Sequence, residues 1–352
     1  MRDDLDIATD QFGALVALYF LAGTVAAVPG GQLAEHLGAR RGLMVTGSVT
    51  SISLILIALV VGSWLHLAIA MVVAGCANGM VHPAGNLAIV RDVRPSRQGT
   101  AFGVKQAAAP LATMFAGLAL PTIGLTVGWP TAFLIATLLF PIAVFTLPRD
   151  LPSDPGVRRK SASRPDRTLL MIAAASALAF GAATTVGAFL VDSVVTAGGE
   201  PALAGATLTV ASAACIGVRL MIGWQTDRMT TPSIRLVAGL MAVGAGGFAI
   251  LAAAPPLIGA LGAVIAMAAG WGWPGLLYHA VAAAHPLAPA NATAVATTGN
   301  ALGATLGPLS FGLIADHFTF NAAWTASFIA MLLGAGLMLL ATRIGKAMEG
   351  GR

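Results

Sequence analysis

Charge is what this sequence has least of: Asp, Glu, Lys and Arg make up only 9% of its 352 residues. A soluble domain carries about a quarter charged residues. With 57% of residues apolar and a mean hydropathy of +0.85, a water-soluble fold of this size has no way to hide its apolar surface. Cysteine is scarce too. Cys76 and Cys215 both fall inside apolar stretches, so they read as small packing residues and imply no disulfide framework. The alternating pattern of a membrane β-barrel is missing, which leaves helices as the means of crossing a bilayer. His-Glu-x-x-His and Gly-x-Ser-x-Gly are missing as well, which argues against a membrane enzyme. A phosphate loop of the Gly-x-x-x-x-Gly-Lys-[Ser/Thr] kind does not occur, which argues against a nucleotide-driven pump. No cofactor or metal is expected. The formal charge of +5 is not a nucleic-acid signal, because the cations lie between apolar segments rather than along one face.

What the sequence does have is long apolar runs. A spanning helix needs about 20 mostly apolar residues. Eleven segments qualify, at about 11–31, 42–62, 66–90, 99–125, 129–147, 168–194, 201–224, 233–253, 256–284, 290–314 and 321–342. The expected fold class is therefore an all-α polytopic membrane protein. Residues 148–167, rich in Pro, Ser and Arg, read as a linker between an N-terminal bundle (1–147) and a C-terminal bundle (168–352). The loop cations set the orientation. Sixteen of them fall on one side, Arg2 alone falls on the other, and Lys105 and Arg219 lie within spans. The linker and C-terminus are expected in the cytoplasm of a plasma-membrane protein, and residues 1–10 outside.

The two bundles repeat one another. "GQLAEH" (Gly31–His36) matches "GWQTDR" (Gly223–Arg228), "AP" at 109–110 matches "GP" at 307–308, and Trp129 and Phe133 match Trp324 and Phe328. The offsets are 192, 198 and 195 residues, in order and nearly constant. Duplicated helical halves are a transporter signature, with the substrate site between them.

"GGQLAEHLGARR" resembles the loop signature of the major facilitator superfamily, Gly-x-x-x-Asp-[Arg/Lys]-x-Gly-[Arg/Lys]-[Arg/Lys], between its second and third helices. Gly31, Gly38 and Arg40 fit; Glu35 replaces Asp, His36 replaces the cation, and Ala39 breaks the pattern with Arg41 close behind. Gly223, Asp227 and Arg228 fit the equivalent loop between helices 8 and 9, and "GWPTAF" looks like the start of helix 6. The resemblance implies the major facilitator fold of two pseudo-symmetric bundles. It also implies that these loops latch the halves at the cytoplasmic side; Arg219, two turns before Asp227 on a similar helix face, is expected to pack against that gate rather than to contact substrate. Glu35 either pairs with nearby cations or sits against a helix N-terminus, whose dipole favours an anion, and Asp227 recurs at the equivalent place. Family members usually have twelve helices. Here the first motif follows the first span, so the segment 1–147 corresponds to family helices 2–6. A start further upstream, a fragment and a genuine eleven-helix chain are the readings of that difference.

Ionisable and polar residues at membrane depth cost about 2.5–3.5 kcal/mol each on insertion scales, so those that persist mark candidate sites. Asn78, His82 and Asn86 share one helix face at i, i+4, i+8 and are expected to line the cavity or to bond between helices. Lys105 lies a turn and a half inside its span, where it either meets an anion or snorkels to the surface; Gln106 is its neighbour. Trp271, Trp273, Tyr278 and His279 form an aromatic stretch deep in the ninth segment, with Pro274 as a kink. Asn300 lies in "TTGNALGATLGPLSFG", where glycines at every fourth position predict a close helix contact.

Asp192 is the sole carboxylate well inside a span, and it lies near the outer end. The expected partner is therefore a small organic anion. It is moved by a monomeric secondary carrier, with protons as the coupling ion. The alternatives are efflux of drugs or neutral solutes, and an inactive or sensor-like remnant.

Overall fold

The computed structural model describes residues 3–37, 39–146, 166–228, 234–285 and 289–350. Most of the expected linker, residues 147–165, lies outside the described residues. Thirteen α-helices account for nearly all of the rest, and no strand occurs among the described residues. The first half of the chain supplies α1 (Thr9–Leu37), α2 (Ala39–Leu59), α3 (Trp64–Asp92), α4 (Gln98–Ala119), α5 (Trp129–Thr137) and α6 (Leu139–Thr146). The second half supplies α7 (Arg167–Thr196), α8 (Pro201–Thr226), α9 (Ile234–Ala253), α10 (Pro256–Ala268), α11 (Pro274–Ala284), α12 (Pro289–His317) and α13 (Phe320–Gly350).

All eleven expected spans coincide with these helices, α5 and α6 together forming the fifth. Nine helical segments among the described residues are long and apolar enough to cross a membrane. The ninth span departs from expectation. It is not one kinked helix but two, α10 and α11, separated at Ala269–Trp273. Gly270 and Gly272 weaken the helix there, and Pro274 has no N–H to give to the Gly270 carbonyl. Trp273 Nε1 takes that carbonyl instead, at 2.6 Å. Pro121 acts similarly after α4: the backbone widens to a π turn over Leu120–Gly124, closed by Leu125 N donating to Leu120 O at 3.0 Å.

Helix starts follow local chemistry. Asp166 accepts from Leu169 N at 2.7 Å and so caps α7. Ser63 caps α3 through His66 N.

Apolar packing within the second half is extensive: Phe189, Phe248, Met241, Met331 and Trp324 are all fully buried in one cluster. The first half has a smaller cluster around Leu15, Ile57 and Leu67. Large apolar side chains such as Leu59, Phe145 and Leu257 stay exposed, the pattern expected where lipid rather than water is the solvent. In the glycine stripe of α12, Gly299, Gly303 and Gly307 lie against Ala173, Ala177 and Gly181 of α7, which bears out the expected close contact.

Candidate functional site

Two helix pairs join the halves of the chain: α1 with α12, and α4 with α8. Along the second seam the residues facing the partner are small. A Cβ built on Gly223 would meet Gly99 O at 2.8 Å, and one on Gly103 would meet Arg219 O at 2.9 Å. Only hydrogen fits there, so the two backbones nearly touch.

Asp227, at the end of α8, crosses this seam. Its carboxylate accepts from Gly99 N at 2.7 Å, from Thr100 N at 3.0 Å and from Thr100 Oγ1 at 2.5 Å. The two N–H groups are among the first of α4, which find no partner within the helix, and the third donor is the Thr100 hydroxyl. The acid of the second loop motif therefore sits against a helix N-terminus, the arrangement considered from sequence for Glu35, and that helix belongs to the other half. Arg228 takes no part in the cap; its guanidinium stacks 3.6 Å above the ring of Trp224.

Two turns back along α8, Arg219 is 4% exposed. Its Nε and Nη2 donate to Trp271 O at 3.0 and 2.5 Å, and its Nη1 donates to Gln106 O. The guanidinium carbon lies 4.9 Å over the Trp271 ring. Arg219 is thus more than a neighbour of the loop motif. It stands at the head of a narrow cavity between α4, α8 and α11, lined also by Phe102, Gln106, Gly272, Leu276, His279 and Thr226. None of the residues lining it is acidic.

Other expected site residues divide. Gln106 and His279 line the cavity. Asn300 Nδ2 donates to Tyr278 Oη at 2.7 Å, while Asn300 Oδ1 and Trp271 Nε1 are buried without a partner among the described residues. Trp273, expected in the cavity, is instead fully buried among core side chains. Phe180 lies edge-on to it at 6.2 Å, and its indole is committed to Gly270. The helix break turns it inward, which sequence spacing along one continuous helix does not reveal. Lys105 is half-buried on α4, about 130° round the helix from the stripe that faces α8, and it does not line the cavity. Asn78 packs toward Gly23 of α1. The side chains of His82, Asn86, Glu35 and His36, and Gly31 and Gly38, lie outside the described residues. Arg40 is half-buried and Arg41 exposed at the start of α2.

Sequence reasoning missed Gly99 and Thr100 as the partners of Asp227. The available signal was a hydroxyl and a glycine in the first turn of a helix, too common to single out.

The model of the Major Facilitator Superfamily matches residues 1–286. The chain belongs to that superfamily. Solved superfamily folds superpose along nearly its whole length. A bacterial homologue of the human lysosomal transporter Spinster, inward-facing and occupied, gives a TM-score of 0.72 at 16% identity, covering 97% of this chain and 90% of that one. The D-xylose–proton symporter gives 0.72 at 15% identity, covering 94% and 87%. The human organic anion transporter MFSD10 gives 0.68 at 15% identity, covering 94% and 83%. At these identities the likeness is one of fold. No curated protein matches the chain by sequence. The multi-pass helical membrane architecture expected from the sequence is thereby that of a major facilitator transporter.

Proposed function

We propose that this superfamily member is a secondary carrier that moves a small organic anion by alternating access between its two bundles. The observation that carries the reading is Arg219: a buried guanidinium between the halves, held by carbonyl dipoles, in a cavity with no acidic lining residue. A cationic solute entering there meets the like charge of Arg219, and the nearby Asp227 carboxylate is already committed to Gly99 and Thr100. A carboxylate meets a partner suited to two parallel hydrogen bonds. His279 lines the same cavity and supplies an imidazole for proton coupling. Lys105, off the cavity wall, takes the lesser role. The buried position of Trp273 removes half of the aromatic platform that a drug-efflux reading needs.

The cation asymmetry supports an orientation with the Asp227 end of the molecule in the cytoplasm. The seam that Asp227 crosses is then the cytoplasmic gate. A reporter fused after Arg352 and active only in the periplasm contradicts this orientation.

The substrate class is tested in proteoliposomes with benzoate, lactate and succinate against lipophilic cations, with and without a proton gradient. Anion flux is expected, and Arg219→Gln should abolish it, whereas Lys105→Gln should reduce it at most several-fold. Transport of lipophilic cations alone defeats the reading.

A further inference from the structure

Gln106 lies four residues before Pro110 within α4. In a regular helix its carbonyl accepts the N–H of residue 110, and proline has none. The Trp271 carbonyl emerges from the break between α10 and α11, which the glycines and Pro274 create. Arg219 meets both. Three of its five N–H groups go to these two carbonyls, one in each half of the chain. No carboxylate pairs with it among the described residues. Its guanidinium therefore bridges the α4–α8 seam using acceptors that the prolines and the helix break leave free.

This bridge has no twin. The equivalent position of the first half, 192 residues earlier, is Ala27, whose methyl has nothing to donate. The α12 seam, although it carries Pro308 where α4 carries Pro110, thus has no arginine facing it from that position.

We infer that Arg219 is a substrate-released latch: in the empty protein it ties α8 to the Gln106 carbonyl of α4, and an organic carboxylate that takes the guanidinium unties it. The inference rests on the anion reading for the identity of the releasing ligand, but not for the latch itself. A carboxylate is a stronger acceptor than a neutral carbonyl, and it competes for the same N–H groups. Once it binds, the Nη1 bond to Gln106 is lost. At that level of the seam what remains is glycine contact, which resists separation weakly. The ligand thus interacts differently with the joined and the parted state, which is what any ligand must do to shift a conformational equilibrium. The Asp227 cap, about 12 Å further along α8, is a second tie on the same helix pair, made without the Arg219 guanidinium.

The native thiol Cys215 provides the readout. It is fully buried, one helical turn before Arg219, with that side chain against it. The parent is the Cys76→Ser protein in proteoliposomes, and the rate of Cys215 alkylation by N-ethylmaleimide is followed by mass spectrometry.

Pro110→Ala restores an N–H to the Gln106 carbonyl while leaving Arg219 in place. It should accelerate alkylation several-fold with no ligand present. Arg219→Lys, whose single ammonium does not span both carbonyls, should do the same, and the double variant should be no faster than the faster single. Benzoate, lactate or succinate at millimolar concentration should accelerate the parent but leave both variants unchanged. If Pro110→Ala reacts at the parental rate, the latch is overturned whatever the anions do. If both variants are fast yet no carboxylate moves the parent, the latch stands, and its release by an anion fails together with the anion reading.

Discussion

The carboxylate of Asp227 and Thr100 lie in different halves of the chain, 127 residues apart, and are joined by two hydrogen bonds, from the Thr100 backbone N–H at 3.0 Å and from its hydroxyl at 2.5 Å. With the Gly99 N–H they complete a helix cap whose two parts have to separate whenever α4 and α8 do.

Breaking this cap should change turnover more than affinity. Losing a cap costs about 1 kcal/mol, a roughly five-fold shift in the balance between joined and parted seams. Asp227→Ala should slow transport by about that factor, and Asp227→Asn, which keeps an acceptor oxygen, by less. KM should stay within a few-fold, since Asp227 itself does not line the cavity and Gly99, which does, meets it through its backbone N–H. Initial uptake rates in proteoliposomes measure both quantities, and normal turnover in Asp227→Ala removes the cap from the mechanism.

Two glycines of α8 should respond oppositely to alanine. At Gly223 the new Cβ meets Gly99 O at 2.8 Å and Gly103 Cα at 3.2 Å, so the helices are forced apart. Overpacking of this kind costs about 1–3 kcal/mol. At Gly217 nothing lies within 4 Å, and alanine should stabilise the helix by about 0.5–1 kcal/mol. Melting curves in detergent should separate the two variants in sign.

Tyr278 and Asn300 should behave as a pair. Tyr278→Phe leaves the Asn300 amide without its 2.7 Å partner inside the bundle. Hydrogen bonds within membrane proteins average about 0.6 kcal/mol, and a buried orphan adds its own penalty. The single variant should melt lower than wild type, and Tyr278→Phe with Asn300→Leu should recover much of the loss. A double variant less stable than the single would show that the amide has another role.

Asp4, outside the spans, should carry the pH response of the segment before α1. Trp129 Nε1 donates to its carboxylate at 2.8 Å, and this bond holds its pKa below the ordinary 3.8. A lowered folded-state pKa stabilises the fold above the ordinary value and ceases to do so as pH falls through the folded one. The difference in melting temperature between wild type and Asp4→Asn should therefore be constant near neutrality and shrink below 3.8. A difference that instead changes around neutral pH would point to another group.

Composition and hydropathy were enough to place every span, though not the break that divides the ninth into α10 and α11, because a bilayer demands about 20 apolar residues per crossing and tolerates almost no alternative. The repeat of "GQLAEH" and "GWQTDR", with its offset of 192 residues, was legible for the same reason: motifs survive in one dimension. The destination of Asp227 was not. A carboxylate at a helix end states that it wants N–H groups, and only the packing of α8 on α4 selects those of Gly99 and Thr100. Nor did the sequence, which set Arg219 at the gate, name the Gln106 and Trp271 carbonyls as its partners or turn Trp273 into the core. Both depend on carbonyls and ring directions set by Pro110 and by the break before Pro274. Hydropathy is a property of each residue and can be summed along a chain. A hydrogen bond across two helices is a property of their rotation and depth, which exists only once they are packed.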